Sequence, residues 1–339
     1  MNIQMLKASA AALALGVAQQ GMALDAMPEP GWGGFVNLGV GTGSVESNFL
    51  AKVTGVDVDL SDSRIDEFGS PDDESVTLPM GALNVGYTFD SGKTRIFVGN
   101  DLSDFVQFDQ ATILSVRHDT DSLGRLQAGF IRTAGIATEV YEDPYQLNVD
   151  REETERIRTG VRLTWDKILG SQFEIQLTAT ERELDEERSG EGLGLSDADR
   201  ALLDREGDLM RAEVGYLWDL GGGHFLRPRV AYIDRDLDGD AMAQDGYEVG
   251  ASYVYFSPRV RFVGNLFYQQ LDGDAVNPIF DEVNDADSLF ASASIWFPGA
   301  FGWKNWMPRI TVAYGEEDSD IDFNDTKASI FSVSLFRTF

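Results

Sequence analysis

Arginine recurs at every second position along several segments of this chain. Arg156, Arg158 and Arg162 share one parity, as do Arg227, Arg229 and Arg235, and Arg259 and Arg261. A guanidinium is a planar fork of donors that suits carboxylates and phosphates. Glu174, Glu213 and Glu248 occupy matching alternate positions in their own segments. The same residues permit two outcomes. The arginines line a path for small anionic solutes, or they pair with glutamates and brace a wall. Arg95, Arg117, Arg125, Arg211 and Arg309 extend the candidate lining by the same parity rule.

A second constellation is acidic. Asp234, Asp236, Asp238 and Asp240, with Gly239 and then Asp245, follow the D-x-D-x-D-G pattern of a calcium loop. The twelfth position is Asp where Glu is usual, and the flanks read as strands rather than helices. Asp318, Asp320 and Asp322 echo the run near the C-terminus. Either the carboxylates hold Ca²⁺, or they form a solvated acidic loop. Hydrolytic chemistry would need a histidine base held by a carboxylate or amide. The chain has His118 and His224 only, and the strand pattern puts both at turn ends. No catalytic constellation and no resident cofactor are expected.

The elements that position these side chains are strands. Apolar residues alternate with polar ones along about fourteen segments, at 33–44, 79–90, 93–101, 111–118, 124–133, 155–166, 171–182, 208–219, 224–235, 246–257, 259–271, 287–297, 308–316 and 326–339. In 156–165, Ile157, Val161, Leu163 and Trp165 share the face opposite the arginines. In 259–269, Val260, Phe262, Leu266 and Tyr268 do the same. Short turns rich in Asp, Gly and Pro alternate with long acidic segments at 45–78, 102–110, 134–154, 183–207, 236–245, 272–286 and 317–325. That alternation is the layout of an outer-membrane β-barrel, with short periplasmic turns and long external loops. An arginine facing lipid at the bilayer midplane costs about 2–4 kcal/mol, so arginine belongs on the inward face. Residues 197–203 suit a short helical turn within their loop.

The two ends fit the same fold class. Lys7, the apolar run Ala8–Val17 and the small-x-small site Gly21-Met22-Ala23 predict a secretory signal peptide over 1–23. The run is too short for a spanning helix, which needs about 20 residues. Residues 24–339 are then expected to form one barrel domain. In the last strand Phe331, Val333, Leu335 and Phe339 alternate with smaller residues. A terminal strand ending in Phe339 resembles the closing strand of bacterial outer-membrane barrels, where that residue is read by the barrel-assembly machinery.

Composition narrows the partners. The formal charge of −30 argues against nucleic acid and against basic-patch binding to anionic lipid. The absence of cysteine leaves cross-linking to backbone hydrogen bonds, which a closed sheet supplies. The expected surroundings are outer-membrane lipid and lipopolysaccharide.

The run Gly33-Gly34-Phe35-Val36-Asn37-Leu38-Gly39-Val40-Gly41, with Val45-Glu46-Ser47-Asn48-Phe49, is similar to the opening of an uncharacterised gammaproteobacterial outer-membrane family, a domain of unknown function. The resemblance implies a barrel and an outer-membrane location. It carries no activity and no site residues.

The expected fold is all-β: a transmembrane antiparallel barrel of about 14 strands. The expected function is a passive channel for small, anionic solutes. The alternative is a closed surface barrel whose acidic loops bind a partner or divalent cations. A lumen plugged by 45–78 would favour the alternative.

Overall fold

Alternation of apolar and polar residues is a local instruction to extend, because only an extended backbone sends successive side chains to opposite faces. A computed structural model shows where that instruction leads. It describes residues 27–339 except 54–57, 105–107, 134–137 and 304, and the side chains of 101–104 and 109 are also outside the description. The expected leader at 1–23 lies outside the described residues.

Fourteen antiparallel strands form a closed wall. They are β1 (Gly31–Ser47), β2 (Asp73–Thr88), β3 (Thr94–Asp104), β4 (Asp109–Asp119), β5 (Arg125–Arg132), β6 (Glu153–Asp166), β7 (Phe173–Leu184) and β8 (Gly207–Tyr216). They continue as β9 (His224–Leu237), β10 (Gln244–Phe256), β11 (Arg261–Gly273), β12 (Ala286–Trp296), β13 (Met307–Ser319) and β14 (Thr326–Thr338). Each wall strand pairs with its neighbours in chain order, and β1 closes on β14 from Phe35↔Thr338 to Ser47↔Thr326. Gly34 and Phe339 then exchange both backbone hydrogen bonds, at 3.0 and 3.1 Å, beyond the end of that ladder.

The outward face is apolar through its middle. Val161, Leu163, Leu177, Val230, Leu266, Phe331 and Val333 are each 46–57 % exposed. Such a belt is stable against lipid, not water. Tyrosines edge it toward the long loops. Tyr232 donates to Asp245 at 3.1 Å and Tyr268 to Asp287 at 2.8 Å, while Tyr314 donates to Glu316. Rings with a wet tip belong at the headgroup level. Trp165, near the opposite end, donates its indole N–H to the Leu123 carbonyl in a short turn.

The long connections hold structure of their own. Leu50–Val53 pairs with Val58–Asp59 and, on its other side, with Thr138–Tyr141. Thr138–Tyr141 in turn pairs with the upper end of β6. The predicted helical turn is present at Asp197–Ala201, with the Ser196 hydroxyl accepting from the Asp199 N–H at 3.2 Å.

Candidate functional site

The interior of the wall carries the arginines, and most of them meet carboxylates. Glu213 on β8 is the centre of one network. Arg211 on the same strand donates to Glu213 at 3.0 Å and to Glu248 of β10 at 2.7 Å. Arg227 of β9 donates to Glu213 at 3.0 Å and to Glu174 of β7. Arg229 of β9 lies 3.5 Å from Glu213 and 3.4 Å from Glu248, with its guanidinium 3.6 Å from the Phe267 ring centroid. Three arginines thus face three glutamates across four adjacent strands, and the formal charge of the set cancels. Buried ions of this kind are tolerated when paired and hydrogen-bonded.

The remaining candidates hold different parts of the inner wall. Arg125 grips Asp166 at 2.9 and 3.1 Å, one strand away at the turn end. Arg117 donates to Gln127 at 2.9 and 2.7 Å and shares the Phe97 ring with Arg95. Arg95 also donates to the Gly33 carbonyl at 3.1 Å and to Asn84 Oδ1 at 3.2 Å. Arg162 donates to the Thr178 hydroxyl at 3.0 Å. Arg156 and Arg158 are buried on β6. Arg309 lies against Trp296 and donates to the Ser294 hydroxyl at 3.0 Å. Arg261 begins β11 and faces the Phe256 ring. Arg259 departs from the expectation. β11 starts at Arg261, so Arg259 falls in the exposed turn after Phe256 instead of on the wall. Pro258 accounts for this, since it cannot donate to a ladder and shortens the strand.

Toward the long loops the interior is apolar. Leu50, Val53 and Leu60 pack inside the barrel against Val76, Leu78 and Met80 of β2, Val45 of β1, and Ala328 and Ile330 of β14. Polar contacts anchor this filler. The Ser61 hydroxyl donates to the Leu50 carbonyl at 2.5 Å. Lys52 is paired with Glu139 and Glu153, which hold its ammonium pKa above the usual lysine range. Arg151 donates to the carbonyls of Asn48, Pro144 and Asp62 and lies 3.7 Å from the Tyr141 ring centroid. Burial lowers the Arg151 pKa, so these carbonyls serve in place of a counter-charge.

Above the filler sits an aromatic cap. Phe323 stacks on Tyr145 with centroids 5.3 Å apart and meets Phe49, Phe68 and Phe280 at 5.7, 5.6 and 5.5 Å. Burial pushes the Tyr145 phenol pKa up. Arg125, Arg158, Arg227 and Glu213 are only 2–7 % exposed, while Arg95, Arg117, Arg162, Arg211 and Arg229 are half-buried. Sequence reasoning placed 45–78 among the long acidic loops, raised it as a plug of the lumen only under the alternative, and missed the aromatic cap. The signal was present: Phe49, Leu50, Val53, Val58, Leu60 and Phe68 are too many large apolar residues for a loop in water.

The acidic run forms one hairpin of the wall. Asp234 and Asp236 lie in β9 and Asp245 in β10, where the ladder sets Asp245 directly opposite Asp234. Asp238 and Asp240 are exposed at the turn. Among the described residues no group of three or more His, Cys, Asp or Glu side chains could hold a metal ion. His118 is exposed and bonds the Thr94 hydroxyl at 2.8 Å. His224 stacks on Tyr255 and bonds the Tyr253 hydroxyl at 2.6 Å.

The family described as protein of unknown function (DUF2860) matches residues 31–336, from the first residue of β1 almost to the end of β14. The chain belongs to this family. As a DUF2860 barrel with a lipid-facing belt, it is a protein of the bacterial outer membrane. No curated protein matches the chain. Among solved structures it is similar to a FadL homologue of Pseudomonas aeruginosa, at 11% identity and a TM-score of 0.45, over 91% of this chain and 90% of that one. It is also similar to the CymD monoaromatic hydrocarbon channel, at 12% identity and a TM-score of 0.44, over 94% and 92% of the two chains. An outer membrane channel from Pseudomonas putida F1 matches at 12% identity and a TM-score of 0.41, over 93% and 98%. At these identities no solute is carried over to this DUF2860 member.

Proposed function

We propose that this protein is a passive channel for small solutes, closed by residues 48–53 and 58–62 of its own chain. A filled lumen by itself favours the surface role; what supports the channel is the size of the barrel and the way the filler is tied. A barrel of fourteen strands encloses more space than wall side chains fill, since eight strands are about the limit for that. Here residues 50–53 and 58–60 pack into the interior, tied by the short ladder to Thr138–Tyr141 and flanked by backbone bonds from Tyr141 to Phe49 and from Arg151 to Ser63. A filler of this kind can leave without breaking the wall. The arginines act in this reading as braces, because carboxylates cancel the charge of the central network. An anion preference would rest on Arg95, Arg117 and Arg309, whose nearest hydrogen-bond acceptors are neutral.

The alternative, a closed surface barrel that presents its loops to a partner, draws support from the aromatic cap, which ties five of the long loops together. Planar-bilayer recording separates the two. The channel reading expects steady ionic conductance when residues 50–60 are deleted. It also expects a Val53→Cys/Thr138→Cys pair, opposite one another in the short ladder, to silence any wild-type openings until reduced. The chain has no other cysteine to interfere. A silent deletion variant that is correctly inserted would leave the surface role as the account.

A further inference from the structure

Arg309 of β13 is a buried cation without a counter-charge. It is 4 % exposed and forms no ion pair among the described residues. Elsewhere on the inner wall Arg125, Arg227 and Arg235 reach carboxylates at 2.9, 3.0 and 3.0 Å. Arg95 and Arg117 also have neutral partners, but both keep part of their surface exposed. Arg309 has one hydrogen bond, to the Ser294 hydroxyl at 3.0 Å, and its Nε has no partner. Trp296 of β12 stands directly opposite, with the guanidinium 4.8 Å from its ring centroid. Its indole N–H has no partner either, at 2 % exposure, although a buried indole usually finds one. The Ser294 and Thr311 hydroxyls are bonded to one another at 2.8 Å. With its oxygen accepting from Arg309, Ser294 can pass its own hydrogen to Thr311. The Thr311 hydrogen is then in want of an acceptor.

The neighbourhood supplies donors and no negative charge. On β14 the residues opposite Arg309 and Thr311 are Ser334 and Ser332, both buried, and beyond them on β1 stand Gly39 and Gly41. Toward the short turns Val254, Val263, Trp296, Met307 and Phe336 form an apolar cluster, with Phe35 stacked on Phe336 at 5.2 Å. That cluster shields the guanidinium on its periplasmic side. Water could satisfy the free donors, but it does not cancel a charge, and a buried charge is tolerated when it is paired. What these donors call for is an acceptor that is negatively charged.

We propose that Arg309, with Trp296 and the Ser294–Thr311 hydroxyl pair, binds a small, weakly hydrated monoanion of the halide, nitrate or formate kind. A single guanidinium balances one negative charge, and a sulfate or phosphate would bring a second, unbalanced one. The apolar cluster gives nothing in exchange for a tight hydration shell, which selects against strongly hydrated anions. Arg261 stands opposite Trp296 on its other side, with its guanidinium 6.0 Å from the Phe256 ring centroid, and adds to the positive potential. The site belongs to the closed barrel and stands whether or not the barrel conducts. It lies one strand from the seam where β14 closes on β1, so its occupancy is read in the stability of the wall.

The test sets stability against anion identity. The full barrel, refolded in detergent, is heated in bromide–sulfate mixtures at constant ionic strength, and the folded fraction is followed by its shifted gel mobility. An anion that binds only the folded state raises the midpoint with its concentration. General salt effects act alike on the wild type and on Arg309→Gln, so the difference between the two midpoints is the measurement. In sulfate alone the wild type should melt below the variant, because the variant buries no unpaired charge. As bromide replaces sulfate, the wild type should gain several degrees on the variant. A difference that does not change with the salt would overturn the site and leave Arg309 as a neutral-partnered brace. Should Arg309→Gln fail to assemble, the unaltered protein is crystallised in bromide and measured at the bromine absorption edge. An anomalous peak within hydrogen-bond reach of Arg309 Nε or Trp296 Nε1 supports the site, and water alone at both atoms overturns it. Neither result bears on the conductance of the variant lacking 50–60, which tests the channel reading separately.

Discussion

Arg235 of β9 and Glu317 of β13 meet inside the barrel, Nη2 to Oε2 at 3.0 Å, although three strands separate them along the wall. Arg235 is also held by Gln244 at 2.9 Å, and Glu317 by the Ser288 hydroxyl at 3.1 Å. The pair is a strut across a chord of the cylinder. Removing one partner of a buried pair strands the other charge, at a cost of about 3–5 kcal/mol. Glu317→Gln should lower the unfolding midpoint in detergent, with a cost toward the lower end of that range because Gln244 still holds Arg235. Arg235→Met with Glu317→Leu should recover most of the loss. Additive losses in the double variant would show that the two residues do not act as a pair.

Glu213 balances three arginines, so its removal should expose their charge. In the variant lacking 50–60, Glu213→Gln is expected to move the reversal potential in a salt gradient toward anions. The shift should shrink at high salt, where the Debye length falls from about 10 Å at 0.1 M to about 3 Å at 1 M. An unchanged reversal potential would mean that the network lies off the ion path.

Closure of the barrel ends on Gly34 and Phe339, whose backbones exchange two hydrogen bonds. The Phe339 ring is 53 % exposed on the outer side, so its loss removes little packing. Deleting Phe339, or changing it to Asp, should reduce the folded, heat-modifiable species in the membrane while leaving detergent refolding in vitro nearly normal. Equal membrane levels of the deletion variant and the wild type would refute a role in assembly.

Asp204 and Glu206 lie together in the loop before β8, and burial raises both pKa values, with Glu187 and Asp238 adding to the effect. A carboxylate whose folded pKa is raised stabilises the fold below its unfolded pKa. That contribution is lost as pH rises through the folded value. This loop should therefore be firmer in mild acid than at neutral pH. Asp204→Asn with Glu206→Gln keeps their acceptor oxygens for the Glu206 and Leu184 N–H groups. Hydrogen exchange, corrected for intrinsic rates, should show the double variant better protected over 185–206 at about pH 7. The difference from wild type should disappear near pH 4. Weaker protection at neutral pH in the double variant would reverse the sign.

What the sequence determined by itself was everything that repeats every second residue. Val161, Leu163, Leu266 and Val333 face lipid as their parity requires, and Arg156, Arg158, Arg227 and Arg229 face inward by the same rule. Period two is a property of the extended backbone, so it needs no knowledge of partners. The short turns followed for the same reason, except where Pro258 moved Arg259 off the wall. Partnership is a different kind of fact. That Arg227 meets Glu213 and Arg235 meets Glu317 depends on register, strand tilt and the curvature of a closed wall, none of which is local. The folding of Leu50, Val53 and Leu60 into the lumen depends on the lumen being wide enough to need them. The end of the β2–β3 ladder at Asn84↔Gly99 arises from two strands diverging after their hairpin turn. A strand's own pattern names no partner, so only the tertiary structure reveals where pairing ends.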